Sequence, residues 1–98
     1  MRQAISTKFL GPTDSRGARV KAACEAGSLT APWDYSLGIE ANHAHAARDL
    51  AMKLGWAGHW YGGGLSGAGF VFVMAAKGMS DFAIWNDGAG NLVASKAV

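Results

Sequence analysis

Residues 4–25, AISTKFLGPTDSRGARVKAACE, decide the fold. Residues 4–10 alternate, with Ile5, Thr7 and Phe9 on one face and Ser6, Lys8 and Leu10 on the other, the period of a half-buried strand. Gly11 to Gly17 is turn chemistry: Pro12 fixes φ, Asp14 and Ser15 can hydrogen-bond nearby backbone, and Gly17 tolerates φ > 0. Residues 18–25 alternate again, with Val20, Ala22 and Cys24 inward and Arg19, Lys21 and Glu25 outward. The spacing predicts a hairpin with a seven-residue loop. Lys8, Arg19 and Lys21 then share its polar face, with Arg16 at the tip.

Working outward, Ala26-Gly27 turns the chain and residues 28–33 can add a third strand, which Pro32 confines to an edge or a strand end. Residues 39–54 read as the one helix: Ile39, His43, Ala46, Ala47, Leu50 and Leu54 fall within an arc of roughly 100°. Gly55 is placed to end it in a left-handed residue, with Trp56 packing back on the last turn. The Gly-rich run 58–69 is read as a short strand at His59–Tyr61 followed by a mobile loop at 62–69. Residues 70–76 are apolar on both faces, as in a central strand, and residues 82–86 and 92–96 flank the turn residues 87–91 as a terminal hairpin.

The order is therefore β-β-β-α-β-β with an extra C-terminal hairpin. That makes an α+β domain, with an antiparallel sheet of about five strands and one helix packed on one face. Residues 1–98 form a single domain in this reading, with 77–98 an appended hairpin or tail. The other sheet face carries the basic residues and has no obvious cover. It is where function is expected.

Composition narrows the class. Half of the chain counts as hydrophobic, yet Ala and Gly make up 33 of the 98 residues, and only 29 are large apolar side chains. Four Trp, four Phe and two Tyr, with a net charge of only +2, argue for a packed but thin core rather than disorder. Coiled coil, disulfide scaffold, acidic DNA mimic and polybasic tail are all disfavoured. Residues 1–24 carry +4 and residues 25–98 carry −2, so the positive charge gathers on the first hairpin. Cys24 is alone, which fits a reducing cytoplasm, and no apolar run has the length of a membrane span. Aromatics in excess of a thin core point to a homodimer.

Several motifs resolve to bland readings. Gly62-x-Gly64-x-x-Gly67 matches a dinucleotide fingerprint, but the strand-like Phe70-Val71-Phe72-Val73 follows where a helix is needed. His43 and His45 stand about 200° apart on a helix, so they cannot share a metal there. A small metal-dependent enzyme would need His43, His45 and His59 to converge. Cys24 on an inward strand position behaves as a small apolar residue. No catalytic residue, cofactor or metal ligand is assigned. Trp60 and Tyr61 are candidate stacking or anchoring groups, and Arg48 on the helix is a further candidate contact.

Thr7-Lys8-Phe9-Leu10-Gly11-Pro12-Thr13, Ser15-Arg16-Gly17, Arg19 and Lys21-Ala22 carry a likeness. So do Asn42-His43, Ala46-Ala47, Leu50-Ala51, Lys53-Leu54-Gly55-Trp56 and Gly69-Phe70-Val71-Phe72-Val73. Over residues 3–73 this pattern resembles a family of small proteins from phages, prophages and plasmids; residues 77–98 lie outside it. The resemblance brings no site residues with it. It implies a mobile-element accessory protein that binds a host machine, with an anti-CRISPR protein as one form. The expectation is thus a non-enzymatic binding protein in the host cytoplasm that modulates a host protein or nucleoprotein complex through Lys8, Arg16, Arg19 and Lys21. A direct single-stranded DNA or RNA binder is the alternative.

Overall fold

The computed structural model describes residues 4–65, 69–75, 81–86, 88 and 91–95. β1 (Ile5–Leu10) and β2 (Arg19–Cys24) pair antiparallel, with Lys8 opposite Lys21 and Leu10 opposite Arg19. Residues 11–18 connect them, one more than the spacing predicted. This loop is held by its own bonds. The Thr13 N–H donates to the Arg16 carbonyl at 2.7 Å, and the Arg16 N–H donates to Thr13 Oγ1 at 3.1 Å. β3 (Gly27–Pro32) pairs with β2 and forms one edge of the sheet, where Pro32, having no N–H, ends it.

The helix α1 (Ile39–Leu54) has the bounds its periodicity predicted. Gly55 follows it with φ 73°, its N–H donating to the Met52 carbonyl, while the Trp56 N–H reaches back to the Ala51 carbonyl. That pair of bonds is a Schellman ending. At the other end the Asn42 side chain fastens the entry loop, accepting from the Asp34 N–H and donating to the Asp34 and Gly38 carbonyls.

β4 (Gly58–Leu65), β5 (Gly69–Ala75), β6 (Phe82–Asn86) and β7 (Leu92–Ala94) complete a sheet ordered β3-β2-β1-β5-β4-β6-β7, with every pairing antiparallel. The described residues are thus α+β with seven strands, where about five and a further terminal hairpin were expected. The terminal hairpin supplies β6 and β7, joining the sheet through β4.

The sheet curls, and α1 touches β1, β2 and β3 at one end and β6 and β7 at the other. Asn42, His43, Ala44, Ala46, Ala47, Leu50 and Ala51 are all buried, an arc of roughly 200° at 100° per residue. That arc is wider than the stripe read from the wheel, because the curled sheet meets the helix on more than one side. Ile39 is the opposite correction: expected inward, it is 65% exposed, because it sits in the first turn beside Tyr35 on the rim of the sheet's cover.

The Gly run needs the largest correction. Gly62, Gly63 and Gly64 are not a loop but the middle of β4, paired with Phe72, Val71 and Phe70 of β5. A Cβ on Gly62 would overlap the Phe72 ring, whereas one on Gly63 would meet open space. Gly62 is there for close approach rather than mobility. The remainder of the expected loop, residues 66–68 with Gly67, lies outside the described residues.

β6 covers β4 only along Gly58–Trp60. Just beyond, the Asp81 N–H donates to the Trp60 carbonyl, and the Asp81 carboxylate accepts from the Gly62 N–H, each at 2.7 Å.

Two aromatic groups fill the core, one near each end of the sheet. Trp60 lies flat between Trp56 and Phe82 at centroid distances of 6.3 and 6.1 Å, and Phe72 meets Phe82 at 6.0 Å. Beneath β1–β3, Trp33 packs edge-on to both Phe9 and His43, and His43 packs on Phe70. Much of the aromatic excess that suggested a dimer is thus used internally.

Candidate functional site

Strand alternation sends Ile5, Thr7, Val20, Ala22, Phe72, Trp60, Phe82 and Ile84 to the helix side. Their neighbours point to the uncovered side. Register then arranges these outer residues in rows across the strands. One row runs Thr30, Lys21, Lys8, Gly69, Leu65; the next runs Ser28, Ala23, Ser6, Val71, Gly63. Arg19 stands between Pro32 and Leu10 beside the first row. Val73 faces Tyr61, and Trp85 faces Val93. The outer face is therefore basic and polar over β1–β3, and apolar and aromatic over β4–β7.

Lys8 and Lys21 are directly opposed, which places their Cβ atoms about 5 Å apart. Neither has an ion-pair partner among the described residues. Beside them opens a cleft of about 340 Å³ lined by Ser6, Thr7, Lys8, Lys21, Ala23, Leu65 and Gly69. Its floor is small side chains. The Ser6 hydroxyl donates to the Ala23 carbonyl at 3.3 Å, and a Cβ on Gly69 would lie 2.8 Å from the Thr7 carbonyl oxygen. The gap between Lys8 and Leu65 is thus fixed by backbone contact.

A second groove runs along the connecting loop and β3, lined by Arg16, Gly17, Ala18, Arg19, Thr30, Ala31 and Pro32. The Arg19 Nε donates to the Gly17 carbonyl at 3.2 Å, and the Trp33 N–H ties to the Ala18 carbonyl at 3.0 Å. Arg16 and Arg19 are thereby presented from a braced loop.

Of the residues singled out from the sequence, Lys8, Arg19 and Lys21 come together on one face, Arg16 flanks them, and Tyr61 shares that face at 48% exposure. Trp60 and Arg48 do not join them. Trp60 is fully buried inside the core, because alternation turns it opposite to Tyr61, so it offers no stacking face. Arg48 sits on α1, on the other side of the sheet, where it bonds the Asp49 carboxylate at 3.3 Å and reaches the Ser95 carbonyl at 3.5 Å. The sequence reading did not single out Leu65 or Val73 and left Trp85 open between core and surface; each is nearly half-exposed. Their parity with Tyr61 or Lys8 becomes visible only once the strands are in register.

The histidines separate. His43 lies beneath β1, with Nδ1 2.8 Å from Thr7 Oγ1. Thr7 Oγ1 also lies 3.4 Å from the Phe70 carbonyl oxygen, so the hydroxyl stands between the ring and β5. Burial pushes His43 below the ordinary imidazole value. His59 alternates with Trp60 and so lies toward the outer face, while His45 stands on α1 beside Arg48. They do not converge, and among the described residues no three His, Cys, Asp or Glu side chains form a group that could hold a metal. No helix among the described residues is long and apolar enough to cross a membrane.

No known family model, curated protein or solved structure matches the chain.

Proposed function

We propose that the protein is a non-enzymatic binding protein whose basic hairpin meets a phosphate-lined or acidic surface of a host nucleoprotein machine. The observation that carries this reading is the opposed pair Lys8–Lys21, with Arg19 alongside, on a sheet face that nothing covers among the described residues. Like charges in register weaken an antiparallel pair, and a polyanionic partner relieves that repulsion. The resemblance to small phage and plasmid proteins supplies the setting, a mobile element acting on its host, with inhibition of a CRISPR effector as one form.

The test is a pull-down from host lysate with mass spectrometry, comparing the native chain with the Arg16→Glu/Arg19→Glu/Lys21→Glu variant. The expected result is a nucleoprotein partner retained by the native chain and lost by a variant whose thermal midpoint is nearly unchanged. Equal retention by both overturns the role of the hairpin.

Tyr61 favours a second reading, direct binding of single-stranded DNA or RNA, because an exposed aromatic on the same side of the sheet as the basic residues can stack a base. Labelled oligonucleotides should then be retarded at low salt, with a log–log salt slope of roughly −0.7 per phosphate contacted. No retardation rejects it.

A further inference from the structure

We infer that the cleft between Lys8, Lys21 and Leu65 is a receptor for a single phosphomonoester, the terminal phosphate of a nucleotide. This rests on reading the outer face as a surface for phosphates, and narrows it from the internal diesters of a strand to one doubly charged group.

Charge makes the first argument. The two ammonium groups rise from directly opposed positions on one row of the sheet. Neither is ion-paired among the described residues. A single internal diester carries one charge and matches one lysine of the pair. A monoester carries about −1.5 to −2 at pH 7, which matches the pair.

Shape makes the second. At about 340 Å³ the cleft lies in the range of small-molecule sites. That volume is of the order a phosphate with its sugar requires. Its opening is built in: Gly69, between Lys8 and Leu65, admits no side chain because a Cβ there would lie 2.8 Å from the Thr7 carbonyl oxygen.

Donor chemistry makes the third. The Ser6 hydroxyl already donates to the Ala23 carbonyl. The N–H donors for a phosphate therefore come from the two lysines, three on each. Leu65, 47% exposed on the opposite wall, gives an apolar surface for the carbon body of the ester. A bare inorganic anion would leave that wall unused.

The two sources of this chemistry are a free mononucleotide and the 5′ end of a strand, and calorimetry at low salt separates them. The probes are adenosine 5′-monophosphate against adenosine, and one short deoxyoligonucleotide with a 5′-phosphate against the same strand with a 5′-hydroxyl. The phosphate is expected to strengthen binding at least about tenfold in one or both pairs. The Lys8→Ala/Lys21→Ala variant should erase that difference, and Arg16→Ala should preserve it. Circular dichroism and the thermal midpoint confirm that both variants are folded. A gain in the nucleoside pair alone identifies a free mononucleotide; a gain in the strand pair alone identifies a strand end. No gain in either pair overturns the inference. If neither pair shows a gain, yet the native chain binds both strands and the Arg16→Glu/Arg19→Glu/Lys21→Glu variant binds neither, this proposal fails while the broader reading of the basic face stands.

Discussion

The two halves of the uncovered face differ although one rule of alternation builds both. Over β1–β3 it presents Lys8, Lys21, Arg19, Ser6 and Thr30; over β4–β7 it presents Tyr61, Leu65, Val73 and Trp85. Beneath them the inner residues are alike, both halves resting on aromatics packed against an Ala-rich helix. The core therefore does not dictate the contrast. Outer positions are free to specialise, and they have specialised into a charged half and an apolar half that meet at Gly69 and Val71.

The strongest way to break this comparison is to exchange inner for outer within one strand. Trp60→Ala should cost about 3–5 kcal/mol in urea unfolding, because it empties the middle of the Trp56–Trp60–Phe82 stack. Next in size is the glycine pair. Gly62→Ala should cost about 1–3 kcal/mol, since its methyl group meets the Phe72 ring. Gly63→Ala, one residue on and facing open space, should be neutral or stabilising by under about 1 kcal/mol. Equal effects at the two glycines would refute the register of β4 with β5.

Smaller still is Lys21→Glu, which sets a carboxylate opposite Lys8 and should stabilise the fold by about 0.2–1 kcal/mol while losing phosphate affinity. A loss of stability would show that the lysine pair has a compensating partner. Tyr61→Ala should change stability by less than about 0.5 kcal/mol, setting it against its buried neighbour Trp60. The mildest probe is pH. His43 titrates below its unfolded value of 6.5, so the unfolded chain takes up the proton first. Stability should be full above pH 6.5 and decline as pH falls below it. His43→Gln should flatten that decline, measured as urea midpoints across the window.

The charged half was legible in the sequence and the apolar half was not. Residues 5–10 and 19–24 alternate cleanly, so faces, pairing and the grouping of Lys8, Arg19 and Lys21 followed from period alone. The helix was equally plain, bounded by Gly55. In β5, Phe70, Val71, Phe72 and Val73 are apolar on both sides, so period could not say which pair faces out. In β4 the glycines have no side chain to alternate. Their role appears only when Phe72 is placed across from Gly62, a contact between residues ten positions apart. Trp60 was misplaced for a related reason: the short strand expected at His59–Tyr61 puts Trp60 and Tyr61 on opposite faces, but without the pairing through the glycines nothing says which of them faces inward.

The brace that Asp81 makes on β4 has a consequence for how the protein behaves in company. Among the described residues, β6 stops short and leaves the stretch after Trp60 without a neighbouring strand on that side. A bare strand flank invites another chain to pair with it, and crowded cells punish that with aggregation. Here the first amide of the open flank, Gly62 N–H, is already taken, and taken by a negative charge that repels the carbonyl oxygens of any incoming backbone. A single side chain thus acts as a stopper on the sheet.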